Sequence, residues 1–244
     1  MEIAIVIPAR YASTRFPGKP LALINGKAMI EHVYRRLADM EEVSQVIVAT
    51  DDERIFRAVE DFGGKVVMTP SHLQSGTDRI AMVARDLTAD IIVNVQGDEP
   101  LLKREMVREA LAPFYEDETV LMSTLKKRIT DEEEINNPNV VKVVTDKKGN
   151  ALYFSRYPVP YPRNEGAVYY KHIGLYVYKR EFLLKYSQME QTALEKAESL
   201  EQLRALENGF QIRVVETEYD SIGVDTPEDL NRVEEILLRN LKVR

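Results

Sequence analysis

Short apolar runs recur along this chain at intervals that leave room for one helix between them: Ile3 to Ile7, Gln45 to Thr50, Lys65 to Met68 and Ile91 to Val95. Each has the length of a buried strand rather than a helix. Between them, Gly26 to Met40 carries Met29, Val33 and Leu37 at helical spacing. Asp52 to Phe62 reads as a helix stopped by Gly63 and Gly64, and Gly76 to Arg85 as another. A helix over Lys103 to Pro113 and a strand over Thr119 to Leu125 continue the alternation. Strands and helices of this size in turn build right-handed βαβ units. The expected class is therefore α/β, with a mostly parallel central sheet flanked by helices.

Near Asp131 the texture changes. Val140 to Thr145 and Ala151 to Ser155 are strand-like and flank the turn residues Asp146 to Asn150. A proline-rich segment, Tyr157 to Pro162, leads to a strand over Val168 to Tyr178. That strand alternates, with Ile173, Leu175 and Val177 on one face and Tyr170, His172, Tyr176 and Tyr178 on the other. Leu194 to Asn208 reads as a helix, and strand Gln211 to Val215 returns the chain to the sheet. The last helix starts at Thr226-Pro227-Glu228-Asp229, with a hydroxyl cap, proline at the first helical position and acids in the first turn. This pattern predicts one domain, its sheet-bearing part about 1–128 plus 209–244 and a smaller β-rich lobe about 129–208.

With 244 residues, 44% hydrophobic and 30% charged, the chain can bury a sizeable core. A net charge of −7 argues against a nucleic-acid or anionic-membrane binder, since both need a broad basic face. There is no cysteine, hence no disulfide, thiolate metal site or cysteine nucleophile. Met1 leads straight into a strand without a signal-like segment, and no apolar run is long enough to span a bilayer. A cytoplasmic protein is expected.

Against that acidic background, the loop after the first strand carries Arg10, Arg15 and Lys19 among small residues. Three cations on one loop repel one another and make physical sense around a polyanion such as a nucleoside triphosphate. A solvated loop is the plain alternative. Position, at the carboxyl end of a strand where open α/β sheets bind ligands, puts the first reading level with the second and leaves both open. Neither GxxxxGK[ST] nor GxGxxG occurs, so a P-loop enzyme or a dinucleotide fold has little support.

The fourth strand runs out into Asn94-Val95-Gln96-Gly97-Asp98-Glu99-Pro100, where alternation puts Asn94, Gln96 and Asp98 on one face. Polar side chains on a buried strand are costly unless paired, so this face is expected to line a site. Asp98 at the strand end suits a hard cation such as Mg2+, which binds one or two carboxylates plus substrate phosphates. Glu99 would point away, as an acid at a helix start. Asp225 locally reads as part of the last helix cap, and becomes a metal ligand only if the fold brings it beside Asp98. Around Gly76, Thr77 and Asp78 read either as helix caps or as a loop whose backbone reads a base edge. His172 alone is more often structural, and Glu198 with Gln202, one helical turn apart, more often a solvated face.

Taken together, IPARYASTRFPGKPL, QSGTDR, VNVQGDEP, NPNVVKVV, YFSR, KHIGLYVY, LEQLRAL and GVDTPEDL resemble the 3-deoxy-manno-octulosonate cytidylyltransferases, in order from Ile3 to about Leu230. The resemblance implies a Rossmann-like nucleotidyltransferase fold. It implies transfer of CMP from CTP to the anomeric hydroxyl of 3-deoxy-manno-octulosonate (Kdo), with loss of pyrophosphate, for lipopolysaccharide synthesis. Arg10, Arg15 and Lys19 would hold the triphosphate, and Asp98 and Asp225 would bind Mg2+. Pro8, Ala9, Arg10, Gly76, Arg79, Gln96 and Asp98 would line the nucleotide side; Arg156, His172, Gln202 and Glu198 would address the sugar. A homodimer through the β-rich lobe is implied as well. Lys171 stands where the family pattern carries arginine, giving a positive charge without a bidentate fork. Two other readings compete: an enzyme activating sialic acid or another sugar, and a non-catalytic nucleotide-binding protein on the same fold.

Overall fold

The computed structural model describes residues 1–12, 16–73 and 75–242, so Arg15 lies outside the described residues. The chain forms two compact units, Met1–Arg104 with Ser221–Arg244 and Glu105–Asp220. This division by packing assigns Glu105 to Arg128 and Gly209 to Asp220 to the second unit, whereas the sequence reading groups them with the nucleotide-binding part.

The first unit opens with β1 (Ile3–Ala9), the two-residue strands β2 (Leu23–Ile24) and β3 (Lys27–Ala28), and α1 (Met29–Leu37). It continues through β4 (Gln45–Thr50), α2 (Glu53–Asp61), β5 (Lys65–Met68), α3 (Gly76–Arg85) and β6 (Ile91–Asn94). Strands β6, β1, β4 and β5 lie side by side in that order, and every pair is parallel. Ile5 faces Val46 on one side and Val93 on the other. Ile3 through Ile7 are all buried, as a strand covered on both faces requires.

Helix α1 is shorter than its spacing suggests. Asn25 and Gly26 both take positive φ, 49° and 79°, and form the two-residue turn between β2 and β3. An Asn-Gly pair suits such a hairpin turn. The next helix, α4 (Arg104–Glu116), runs one turn past the expected end and keeps Pro113 within it.

The second unit contains β7 (Met122–Arg128), α5 (Glu132–Asn136), β8 (Lys142–Thr145), β9 (Ala151–Ser155) and β10 (Tyr170–Lys179). It ends with α6 (Arg180–Tyr186), α7 (Ala193–Glu198), α8 (Leu203–Glu207) and β11 (Arg213–Glu216). Strand β7 is antiparallel to β10 and parallel to β11, while β8 and β9 form the expected hairpin. The β10 register slips between Ile173 and Tyr176, and the Thr124 hydroxyl lies 3.0 and 2.8 Å from the freed carbonyls of Ile173 and Leu175. Ile173, Leu175 and Val177 are buried as expected, but Tyr178 is buried too.

The helix expected over Leu194 to Asn208 is broken. Ser199 caps α7 in a left-handed conformation (φ 52°), and α8 starts only at Leu203. Glu198 and Gln202 therefore do not share one helical face. The break is held by a buried ion pair, with Arg204 Nε donating to Glu195 Oε2 at 2.8 Å.

From Ser221 the chain belongs again to the first unit, and ends in α9 (Pro227–Lys242). Val224 and Val233 join Ile24, Met29 and Leu101 in one apolar cluster, with Leu230 and Ile236 packed against it. That cluster anchors the segment carrying Asp225. No helix among the described residues is long and apolar enough to cross a membrane.

Candidate active site

The site is built at the carboxyl end of β1, where Pro8 and Ala9 end the strand beside the loop after β6. Gly97 passes so close that a β-carbon there would lie 3.0 Å from the Pro8 carbonyl oxygen and 3.4 Å from Ile30. Only glycine lets these two chain segments approach without a shift. Gly76 opens α3 against the Pro8 ring. Its cap is Ser75, which accepts from the Asp78 N–H at 3.1 Å while Asp78 accepts from the Ser75 N–H at 3.1 Å. Asp78 thus takes part in capping as the third-residue partner of Ser75, whereas Thr77 is a first-turn residue and not the cap, a correction of the sequence reading for Thr77.

Lys19 starts a short 3-10 turn, Lys19–Leu21, preceded by Gly18 at φ 72°. The Gly18 N–H donates to the Tyr11 carbonyl at 2.9 Å, closing the loop upon itself. From there the Lys19 ammonium donates to Asp98 Oδ2 at 2.6 Å and to Asp225 Oδ1 at 3.1 Å. Burial alone would lower the Lys19 pKa, but the charges and hydrogen bonds of Asp98 and then Asp225 outweigh it and hold the ammonium above the ordinary lysine value.

The backbone fixes the two aspartates independently of that lysine. The Val224 N–H donates to the Asp98 carbonyl at 2.9 Å. The last helix is capped by the pair Thr226 and Asp229, with Asp229 Oδ2 accepting from the N–H groups of Asp225 and Thr226 at 3.0 and 2.9 Å. Capping is therefore done by Thr226 and Asp229, and the Asp225 carboxylate turns to Lys19 instead.

These groups line an open depression of about 450 Å3. Of the residues expected on the nucleotide side, Pro8, Ala9, Arg10, Gly76, Gln96 and Asp98 all face it, with Lys19 and Asp225. Arg79 does not. It is fully buried, pairs with Asp51 at 2.7 Å and hydrogen-bonds Thr69, so it braces β4 and β5 behind the opening. Burial lowers its pKa, with the Asp51 charge opposing. Strand β6 stops at Asn94, so the polar face continues as a loop, and Gln96 stays on the Asn94 side through a 3.2 Å hydrogen bond.

Glu99 departs from its expected role. It is partly buried rather than at a helix start, accepts from Ser221 Oγ at 2.7 Å, and burial together with the Asp98 charge pushes its pKa up to about 7. Nothing in the local sequence singles it out, because its partner lies 122 residues away.

The four residues expected to address the sugar lie in the second unit. Arg156 spreads its guanidinium over the carbonyls of Glu198, Pro138 and Ser199, and Glu198 accepts from Ser155 Oγ and the Arg156 N–H at 2.7 and 2.9 Å. Gln202 is buried just before α8. His172 Nε2 shares a 2.9 Å hydrogen bond with the Thr124 hydroxyl, beside the rings of Phe154 and Tyr176. Burial lowers its pKa to about 3, so the imidazole is neutral. Lys142 escaped sequence reasoning: wholly buried, its ammonium donates to the carbonyls of Asn137, Val140 and Arg156 at 3.0, 2.7 and 2.7 Å. Lys171 pairs with Glu134 at 2.7 Å and Asp220 at 3.2 Å.

A parallel α/β unit with a lysine and two aspartates gathered at the end of its first strand is an arrangement that suits a nucleotidyltransferase. The chain belongs to the cytidylyltransferase family, matching it over residues 4–216. It is 57% identical to the 3-deoxy-manno-octulosonate cytidylyltransferase of Geobacter metallireducens, with 98% of this chain and 99% of that protein covered. A solved CMP:2-keto-3-deoxy-manno-octonic acid synthetase complexed with CTP is 46% identical and superposes with a TM-score of 0.95, covering 98% of this chain and all of that one. The 4-diphosphocytidyl-2C-methyl-D-erythritol synthase of Anaerococcus prevotii, 15% identical with a TM-score of 0.65, covers 97% and 98% and shares the fold.

Proposed function

We propose that this protein transfers CMP from CTP to the anomeric hydroxyl of Kdo, releasing pyrophosphate. The full-length similarity to enzymes of that name supports the substrates. The observation that carries the chemistry is the meeting of Lys19, Asp98 and Asp225 in a depression also lined by Arg10.

Direct attack by the sugar hydroxyl needs no protein nucleophile. It needs in-line positioning and positive charge at the phosphates. Arg10 and Lys19 meet the triphosphate and steady the departing pyrophosphate, with Arg15 as a third cation of the same loop. Pro8, Ala9, Gly76 and Gln96 offer backbone and amide groups to the cytidine. Arg79 serves this side indirectly, by bracing Asp51.

Two carboxylates converging on one cation fit Mg2+, which takes one or two carboxylates and completes its shell with phosphate and water. Asp98 and Asp225 would hold it, and when bound it supplies positive charge to the phosphates being separated. In the second unit, Arg156, neutral His172, Gln202 and Glu198 would address the acidic sugar, as the family resemblance implies, with Arg156 and Glu198 held by bonds to one another and to neighbouring groups. A cytoplasmic homodimer feeding lipopolysaccharide synthesis completes the reading.

Pyrophosphate release with CTP and Mg2+ tests it. Kdo should support turnover at a kcat/KM well above that with N-acetylneuraminate. A preference for N-acetylneuraminate would move the protein to the sialic-acid enzymes, and CTP binding without pyrophosphate release from any acidic sugar would make it a non-catalytic binder.

A further inference from the structure

The ammonium of Lys19 holds the place between the two carboxylates that a divalent cation would need. Its distances to Asp98 and Asp225 are 2.6 and 3.1 Å, and its side chain is only 14% exposed, so it is an enclosed counter-ion and not a surface contact. A divalent ion arriving alone would face a positive group already seated between its ligands. Among the described residues no third carboxylate or histidine joins the pair. The protein therefore offers too few ligands to displace the lysine unaided, given that Mg2+ fills its shell largely from phosphate and water.

A triphosphate changes that balance. Arg10 lines the same depression, so phosphate oxygens arrive within reach of the lysine's flexible stem. The aspartates need not move when the ammonium leaves. Asp98 is tied through its carbonyl to Val224, and Asp225 through its N–H to Asp229. We infer that Lys19 closes the aspartate pair to free divalent cations, and that metal enters only with a triphosphate that draws the ammonium onto its own oxygens. This rests on the assignment of Asp98 and Asp225 as the Mg2+ ligands, and adds to it an order of arrival and a cause.

Manganese titrations followed by electron paramagnetic resonance test the inference on the full chain, with and without CTP and without sugar. In the absence of CTP, Lys19→Met and Lys19→Gln should bind Mn2+ at least ten-fold more tightly than the wild type, while Lys19→Arg, which keeps the charge, should exclude the ion as the wild type does. Mn2+ alone should raise the melting temperature of the two uncharged variants and leave that of the wild type unchanged. Equal affinity of wild type and both uncharged variants for free Mn2+ would overturn the exclusion role. A separate control distinguishes failure of the underlying assignment. If neither Asp98→Asn nor Asp225→Asn weakens Mn2+ binding in the presence of CTP, the carboxylates are not the metal ligands and the inference falls with them.

Discussion

Lys19 and Asp98 meet at 2.6 Å although 79 residues separate them. That contact, with the 3.1 Å bond from the same ammonium to Asp225, meets the condition set for Asp225, that the fold bring it beside Asp98. The helix cap has its own residues in Thr226 and Asp229, leaving the Asp225 carboxylate for the cation. Charge is thus gathered at a place where three distant stretches of chain, each unremarkable alone, come together.

The close approach of Gly97 to Pro8 makes a sharp test of the site's shape. Gly97→Ala would push a methyl group to 3.0 Å from the Pro8 carbonyl, a backbone atom that cannot step aside cheaply. Overpacking of this kind costs about 1–3 kcal/mol. A lower melting temperature and a raised KM for CTP are expected. Gly174→Ala, with nothing within 4 Å, is the control and should change neither.

His172 predicts a pH dependence of stability. Burial depresses its folded pKa to about 3, against about 6.5 for an unfolded histidine. The unfolded chain therefore binds the proton first as pH falls. Stability from keeping this imidazole neutral is fully present above about pH 6.5 and is lost progressively toward pH 3, by at most about 1.4 kcal/mol per pH unit. Chemical denaturation between pH 8 and 5 should show the decline, and His172→Gln should flatten it. An unchanged slope in the variant would remove His172 as the cause.

The ion pair between Glu195 and Arg204 holds the break between α7 and α8. Both side chains are only 6% exposed, so removing one strands the other. Arg204→Met is expected to destabilise by about 3–5 kcal/mol. Denaturant unfolding measures it, and a loss below about 1 kcal/mol would show that the pair is not what fixes the turn at Ser199.

Much of the first unit was legible because its signals are local. Gln45 to Thr50 is bounded as expected, the parallel order follows from alternation, and Asp98 was singled out by its place after a buried strand. What escaped depends on distant partners or on uncommon backbone. Ser199 adopts a left-handed conformation that a serine does not advertise, so one helix was read where two form. The family resemblance implies a ligand role for Arg79, yet Asp51, in the bend just past β4, turns it inward. Glu99 is defined by Ser221, and Lys142 by three backbone carbonyls, neither of which composition can reveal. The Asn25-Gly26 turn was the exception: its signal was local, but helical spacing downstream masked it.

The central claim is that Asp98 and Asp225 act as one unit on the phosphates of CTP. Steady-state pyrophosphate release by Asp98→Asn, Asp225→Asn and the double variant, each checked for an unchanged circular dichroism spectrum, measures this directly. Groups that work as a unit are far from additive, so each single substitution should lower kcat by at least about 100-fold, the scale of losing a preorganised charge at a transferred phosphoryl group, and the double variant should be little worse. Near-normal turnover in either single variant, or losses that simply multiply in the double, would contradict the claim.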